Sequence, residues 1–579
     1  MPKRIALTVL ALVIVGAVGW TAWTAYQTQQ DLVAAESQVD VIRAAIEDDD
    51  PAARDAAAAE LVDRADSAAG RVDGWWWDGL SHLPVFGDDV SGIQALSRSL
   101  KVVGEGAVLP LADVADRVDD AFVDGAIQVD VVESLDEPVT QAHEALEEGA
   151  TLVEAESSDG YVGPLKGRFE EYRDTIRDLA DAMGSAQKTV EVLPPMVGAD
   201  GPKDYLFIFQ NNAELRATAG LPGSWAVVHA EDGRLTMEEQ GSSASFDVNG
   251  AEKPITEVTD AEKALYGVEI ARFWQDPNFT PDWPRAVEIF QAFWDTQYPE
   301  QQLDGMLSID VVGLSYLLQV TGPVDVDGDQ ITADNAVQKL LNQVYLDYED
   351  PTEQDAYFAG AARSIFQGVT GDLGSPLDFA EAMGRAAREG RFLVTPYDDE
   401  PAAVLADTVV AGATTTGDDT VGRVDIAFND GTGSKMSYYL DYFTDVESRS
   451  CAADGRQTLS GTVTFEQTID PAEAQELPDY ITGGGANFTD PGNQLVNVSV
   501  YGPANGSLYR FLIDGRAVTP DIVYDGNRPA ARLQVELTNR KSVRITFMAT
   551  TGAGQDHDTV VRTTPSLSGT GFAEAATTC

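Results

Sequence analysis

The chain has 579 residues, and 95 acidic against 38 basic side chains give it a formal charge of -57. That length exceeds one ordinary domain and allows about three or four. Such a surface repels phosphate backbones and no basic stripe interrupts it, so nucleic-acid binding is excluded; the charge implies solubility and attraction for cations, not a fold.

Pro2-Lys3-Arg4 precedes Ile5 to Trp23, nineteen residues without a charge. A helix rises about 1.5 Å per residue, so this run nearly matches a hydrocarbon core of about 30 Å. The expectation is a single-pass cell-membrane protein in which residues 1–26 form a cytoplasmic tip and transmembrane anchor. Lys3 and Arg4 stay in the cytoplasm, Trp20, Trp23 and Tyr26 sit at the outer interface, and the bulk of the chain is extracytoplasmic. A cleaved signal peptide is the alternative, but the run is longer than an ordinary signal core and no Ala-x-Ala site follows it.

Residues 27–190 read as a helical membrane-proximal region. Leu32, Val39, Ile42 and Ile46 recur at helical spacing, as do Phe169, Tyr172, Ile176 and Leu179. Breaks fall at Asp50-Pro51, Gly70 to Gly74, Leu83-Pro84 and Gly163-Pro164. Trp75-Trp76-Trp77 fits burial among helices, with docking on a membrane or sugar as the alternative.

After Leu193-Pro194-Pro195 the pattern changes, and residues 191–416 read as an α/β domain. Tyr205 to Phe209 is a buried strand, and Trp225 to Ala230 with Arg234 to Met237 is a hairpin turned by Asp232-Gly233. Helices follow near Asp260 to Phe273 and Pro284 to Trp294. Then come a strand at Gly305 to Ile309, an apolar helix at Val311 to Val320 and an amphipathic helix at Ala336 to Tyr345. Residues 417–579 take a period of two, as in Leu459, Val463, Phe465 and Ile469, and read as a C-terminal β-sandwich. The fold expected is an α+β multidomain chain with one transmembrane helix.

Cys451 and Cys579 are the two cysteines, without CxxC spacing. In an exported protein such a pair reads as a disulfide, with two free thiols as the alternative.

Several chemistries are set aside. The four His residues are scattered, with no HExxH and no second ligand close in sequence, so a zinc site is not expected. Asp325-Val326-Asp327-Gly328-Asp329 lacks the glycine and glutamate of a calcium loop and reads as a tight acidic turn. Gly431-Thr432-Gly433-Ser434-Lys435 reads as a turn with Lys435 as a minor contact.

The polar exit of the strand at Tyr205 stands out. Asn211, Asn212, Glu214, Arg216, Thr218 and Ser224 follow it closely, where an α/β sheet binds ligands at its carboxyl edge. The fork of Arg216 suits phosphate or carboxylate, and the neutral groups add hydrogen bonds. The loop from Arg272 to Pro284 adds Arg272, Asn278 and Asp282. Structural ion pairing of Glu214 with Arg216, or Arg216 with Asp282, is the competing reading.

The runs Gln210 to Gly220, Asn278-Phe279-Thr280-Pro281-Asp282-Trp283-Pro284 and Gly431 to Leu440 resemble the bacterial domain-of-unknown-function family 4012 (DUF4012) over about residues 190–445. Members of that family commonly carry Gly-Gly where this chain has Ala219-Gly220. A weaker resemblance, in Tyr205 to Arg216, Ser224 to Met237 and Leu303 to Val326, is to the LytR-CpsA-Psr phosphotransferases. That likeness implies a LytR-CpsA-Psr-like pocket for a polyprenyl-diphosphate-linked glycopolymer, with Arg216 and Arg272 on anionic oxygens and Asp282 as a metal ligand for Mg²⁺. The Arg-Asp pair expected after the hairpin is missing, replaced by Gly241-Ser242-Ser243-Ala244-Ser245. The expected function is therefore binding or transfer of an anionic glycopolymer or its lipid-linked precursor in the cell envelope. A non-catalytic envelope scaffold with protein partners is the alternative.

Overall fold

The computed structural model describes residues 2–48, 50–84, 86–371, 373, 375–414, 420–484, 489–538 and 542–579, with the backbone alone for residues 2–19, 47 and 119. The chain forms two compact units, residues 1–121 with 128–194, and residues 122–127 with 195–579. The expected start of the sandwich at residue 417 lies outside the described residues.

The first unit is helical: α1 (Pro2–Glu47), α2 (Pro51–Val72), α3 (Trp75–Ser81), α4 (Gly87–Val103), α5 (Leu109–Val118), α6 (Val129–Glu154) and α7 (Gly163–Met196). Asp50 caps α2 by accepting from the Ala53 N–H at 3.0 Å, so the Asp50-Pro51 break is a helix start. Leu96, Leu146, Phe169 and Ile176 share one core. Trp77 is buried, while Trp75 is 82% exposed.

The expected transmembrane helix is corrected. Lys3, Arg4 and most of Ile5–Trp23 have side chains outside the described residues, and among the described residues no helix is long and apolar enough to cross a membrane. The apolar run is not a separate span but the first part of α1, which continues through a polar stretch to Glu47. The buried positions of that continuation are small or polar. Thr28, Asp31 and Ala35 are nearly inaccessible, and Asp31 pairs with Arg64 and Arg71 of α2, whereas Val39 and Ile46 are exposed.

The second unit holds, among the described residues, sheets of seven, six, five and two strands. Its first strands are β1 (Phe122–Val123), β2 (Ala126–Ile127), β3 (Lys203–Arg216), β4 (Ala219–Glu231), β5 (Arg234–Ser242), β6 (Gly305–Asp310), β7 (Val324–Val326), β8 (Asp329–Ile331) and β9 (Phe392–Pro396). The seven-stranded sheet runs β1-β2-β5-β4-β3-β6-β9. Only β3 and β6 pair in parallel within it; the other pairings are antiparallel. The β4–β5 turn is Asp232-Gly233, both at positive φ, the two-residue hairpin geometry that matches strand twist.

Helices cover this sheet: α8 (Asp260–Tyr266), α9 (Trp283–Gln297), α10 (Val311–Thr321), α11 (Ala336–Gln338), α12 (Val344–Asp347), α13 (Pro351–Val369), α14 (Pro376–Arg388) and α15 (Asp399–Leu405). The amphipathic stretch expected at 336–345 is thus interrupted, with a wider turn over Lys339–Gln343 between α11 and α12. Trp225, Trp274, Trp283, Trp294 and Phe290 fill the core under α9.

Residues 423–575 form two facing sheets. The strands used below are β10 (Arg423–Asp430), β11 (Leu440–Cys451) and β12 (Gln457–Gln467). Leu459, Val463 and Phe465 of β12 point inward against Phe428 and Phe547, so the period-two apolar set makes the core between the sheets. A disulfide joins Cys451 at the end of β11 to Cys579.

Candidate functional site

β3 does not stop at Phe209. It runs on to Arg216 and pairs with β4 to the last residue, Arg216 opposite Ala219. Between the Asn211–Leu221 and Leu215–Gly220 pairs the register shifts, leaving residues 212–214 as a bulge. Such an insertion re-aims side chains. Gly220 makes the close approach possible, since a Cβ there would stand 2.3 Å from the Asn211 carbonyl.

The bulge sends its side chains to separate partners. Asn212 donates to Asp310 at 2.8 Å, and Asp310 also accepts from the buried Arg391 at 2.9 Å. Glu214 lies between Arg216, at 3.0 Å, and Lys435, at 2.6 Å. Burial opposes ionisation of Glu214, but Lys435 and Arg216 outweigh it and hold its carboxyl down at about 2.

Arg216 is 4% exposed and each of its three nitrogens has a partner. Nε donates to the Gln275 carbonyl at 3.0 Å, one terminal nitrogen to the Leu215 carbonyl at 3.0 Å, and the other meets Glu214 and, at 3.5 Å, Asp276. Its plane stands over Phe279 at 4.7 Å. Asp276 pays for this crowding: burial pushes its carboxyl up to about 7, against the pull of Arg216.

Thr218 and Asn278 join a buried network around Gln210. Gln210 Oε1 accepts from Thr218 at 2.8 Å and from Asn278 at 3.0 Å, and Asn278 also donates to the Gly220 carbonyl at 2.9 Å. Arg272 instead donates to the Ala251 carbonyl at 2.8 Å and flanks Phe273. Asp282 accepts from the Thr414 N–H at 3.1 Å, and burial raises its pKa. Among the described residues, no hydrogen bond or ion pair joins Arg272 or Asp282 to Arg216.

A cleft of about 90 Å³ opens at the carboxyl end of β3. Gln210, Asn211 and Lys435 supply polar floor groups, and Ser224 lines the β4 side. Leu314 of α10, Leu340, and Phe358, Ala361 and Ile365 of α13 make an apolar wall, and Gln354 and Asp355 of α13 add polar groups to the same lining. Tyr345 and Tyr480 flank the Lys435 ammonium, with ring centres 5.7 and 5.9 Å away. Asn211 donates to the Tyr345 hydroxyl at 2.5 Å. Of the residues expected from sequence, Asn211 and Ser224 line this cleft, and Glu214 reaches it through Lys435.

Lys435 arrives by way of a tight turn. Asp430, at the end of β10, accepts from the backbone N–H groups of Thr432, Gly433 and Ser434, and the Lys435 N–H donates to the Ile481 carbonyl. The Gly431–Lys435 segment is thus a turn, and its role is to place a buried cation.

Residues 200–345 match the model of a family described as a protein of unknown function, DUF4012. That match spans about a quarter of the chain. No curated protein and no solved structure matches it. The DUF4012 segment carries β3, β4, the 277–284 loop, α10 and Tyr345, whereas Lys435 and Tyr480 come from beyond it. Sequence reasoning did not single out Gln210, Tyr345 or Tyr480, which line the cleft, and gave Lys435 only as a minor contact. The signal for Lys435 was present, since Gly431 to Leu440 belongs to the same resemblance as the β3 exit. Its glycines read as an ordinary turn because nothing in sequence joins it to Glu214.

Proposed function

We propose that the cleft at the end of β3 binds an amphiphilic anionic ligand, of the class of a polyprenyl-diphosphate-linked glycopolymer precursor. Its apolar chain would lie along Leu314, Phe358 and Ile365, and its anionic head would meet Lys435, Asn211 and Gln210. The observation that carries this reading is the convergence of an apolar helical wall on one buried ammonium flanked by two tyrosines. In this reading Lys435, which lines the cleft, takes the contact first assigned to Arg216, which does not, and Arg216 positions Glu214. Mg²⁺ would come with the diphosphate. The Cys451–Cys579 disulfide supports work in an oxidising compartment outside the cytoplasm.

Binding rather than turnover is the reading favoured, because Lys435 is already paired with Glu214 and, among the described residues lining the cleft, no second basic side chain is available for a developing phosphate charge. Isothermal titration with a short-chain polyprenyl diphosphate and Mg²⁺ tests it. Saturable heat that falls in Tyr480→Ala, an exposed position, is expected; no heat would end the proposal.

A scaffold role has its own observation in the helical unit. Trp20, Trp23, Tyr26 and Trp75 are all more than half exposed, and large aromatics left in water are suited to a protein partner. Retained partner crosslinking in a chain unable to bind the precursor would favour that reading.

A further inference from the structure

Away from the cleft, three donor side chains meet on adjacent strands of the seven-stranded sheet. Asp204 of β3 stands directly opposite His229 of β4, and Glu238 of β5 is the residue left over by the register shift at Val227 and Val228. One donor atom from each lies within 4.8 Å of the other two. Asp204 Oδ1 is 2.7 Å from His229 Nδ1, while the other ring nitrogen, Nε2, faces Glu231 at 4.0 Å.

A plain Asp-His hydrogen bond accounts for two of these groups but not the third. With Glu231, three carboxylates surround one ring, an excess of negative charge that a dication offsets further than a single proton does. The mixed imidazole and carboxylate set suits a first-row ion such as Zn²⁺ better than all-oxygen Ca²⁺ or Mg²⁺. Three protein ligands leave a position open to water, and a carboxylate behind the free ring nitrogen is the usual way a ligating histidine is oriented. The chain's charge of -57 raises the local concentration of cations.

We propose that Asp204, His229 and Glu238 form a divalent transition-metal site, with Glu231 orienting the imidazole. The site is independent of the cleft and of its ligand. Sequence spacing hid it because its members lie on three strands: Asp204 and His229 are 25 positions apart and meet only by pairing.

The test is titration of the chelator-treated full chain with Zn²⁺ in about 0.5 M salt, which screens the general acidic surface. One Zn²⁺ per chain is expected, lost in His229→Ala and weakened about tenfold in both Glu238→Gln and Glu231→Gln. Glu238 is exposed, so its variant reports on binding rather than folding. Co²⁺ in place of Zn²⁺ should give visible absorption that disappears in His229→Ala. Equal binding by the parent and His229→Ala, or the absence of a saturable site, would overturn the proposal.

Discussion

Glu214 and Lys435 form a buried ion pair, Oε2 to Nζ 2.6 Å, across 221 positions of sequence. The carboxylate is shared with Arg216, so removing it strands two buried cations. Glu214→Gln should cost about 3–5 kcal/mol at neutral pH, the usual consequence of breaking a buried pair. The sign with pH follows from a folded value near 2 against an ordinary 4.5. Stability from Glu214 is present above the ordinary value and is lost as pH falls from 4.5 toward 2. Urea unfolding at a series of pH values should show the gap between parent and variant narrowing over that window; a gap independent of pH would contradict it.

Asp276 behaves oppositely. Its carboxyl is raised from 3.8 to about 7, so the folded chain binds a proton that the unfolded chain releases, and stability falls as pH rises between those values. Asp276→Asn should be more stable than the parent, by an amount that grows over that range and levels above it. A variant less stable at alkaline pH would show that the Arg216 contact outweighs burial.

Ala219 holds a φ of 149°, a region that favours glycine. Ala219→Gly should relieve about 1 kcal/mol of backbone strain. Gly220→Ala should do the reverse and more strongly, because its methyl group would strike the Asn211 backbone. Thermal unfolding of the two variants checks both signs.

The Cys451–Cys579 bridge closes a loop of 128 positions. Replacing both cysteines by serine should cost about 5 kcal/mol in the chain-entropy view. Denaturant unfolding of that variant, alongside the reduced parent, reads the difference.

Much of the fold was legible where one face of an element repeats. β12 shows its inward Leu459, Val463 and Phe465 in a period of two, and the Asp232-Gly233 turn announces its hairpin. The strand at Tyr205 was visible too, but its end was misplaced, because Asn211 to Arg216 reads as a loop until β4 is paired with it. Helix α1 failed differently. An apolar run of membrane length continues into a helix whose buried face is Thr28, Asp31 and Ala35, a pattern hydropathy does not register. Of the candidate site residues, Asn211 and Ser224 line the cleft, but Lys435 reaches it only through tertiary folding.

In the proposed function Lys435, and not the expected arginines, receives the anionic head of a ligand in the cleft. A charged hydrogen bond is worth about 1.5–3 kcal/mol, so its loss should weaken binding at least about tenfold. The most direct measurement is side-by-side calorimetry of a polyprenyl diphosphate with the parent, Lys435→Met and Arg272→Met, each first shown to be folded by its thermal transition. Lys435→Met is expected to lose about tenfold or more in affinity while Arg272→Met binds as the parent does. Unchanged binding by Lys435→Met, or an equal loss in Arg272→Met, would contradict it.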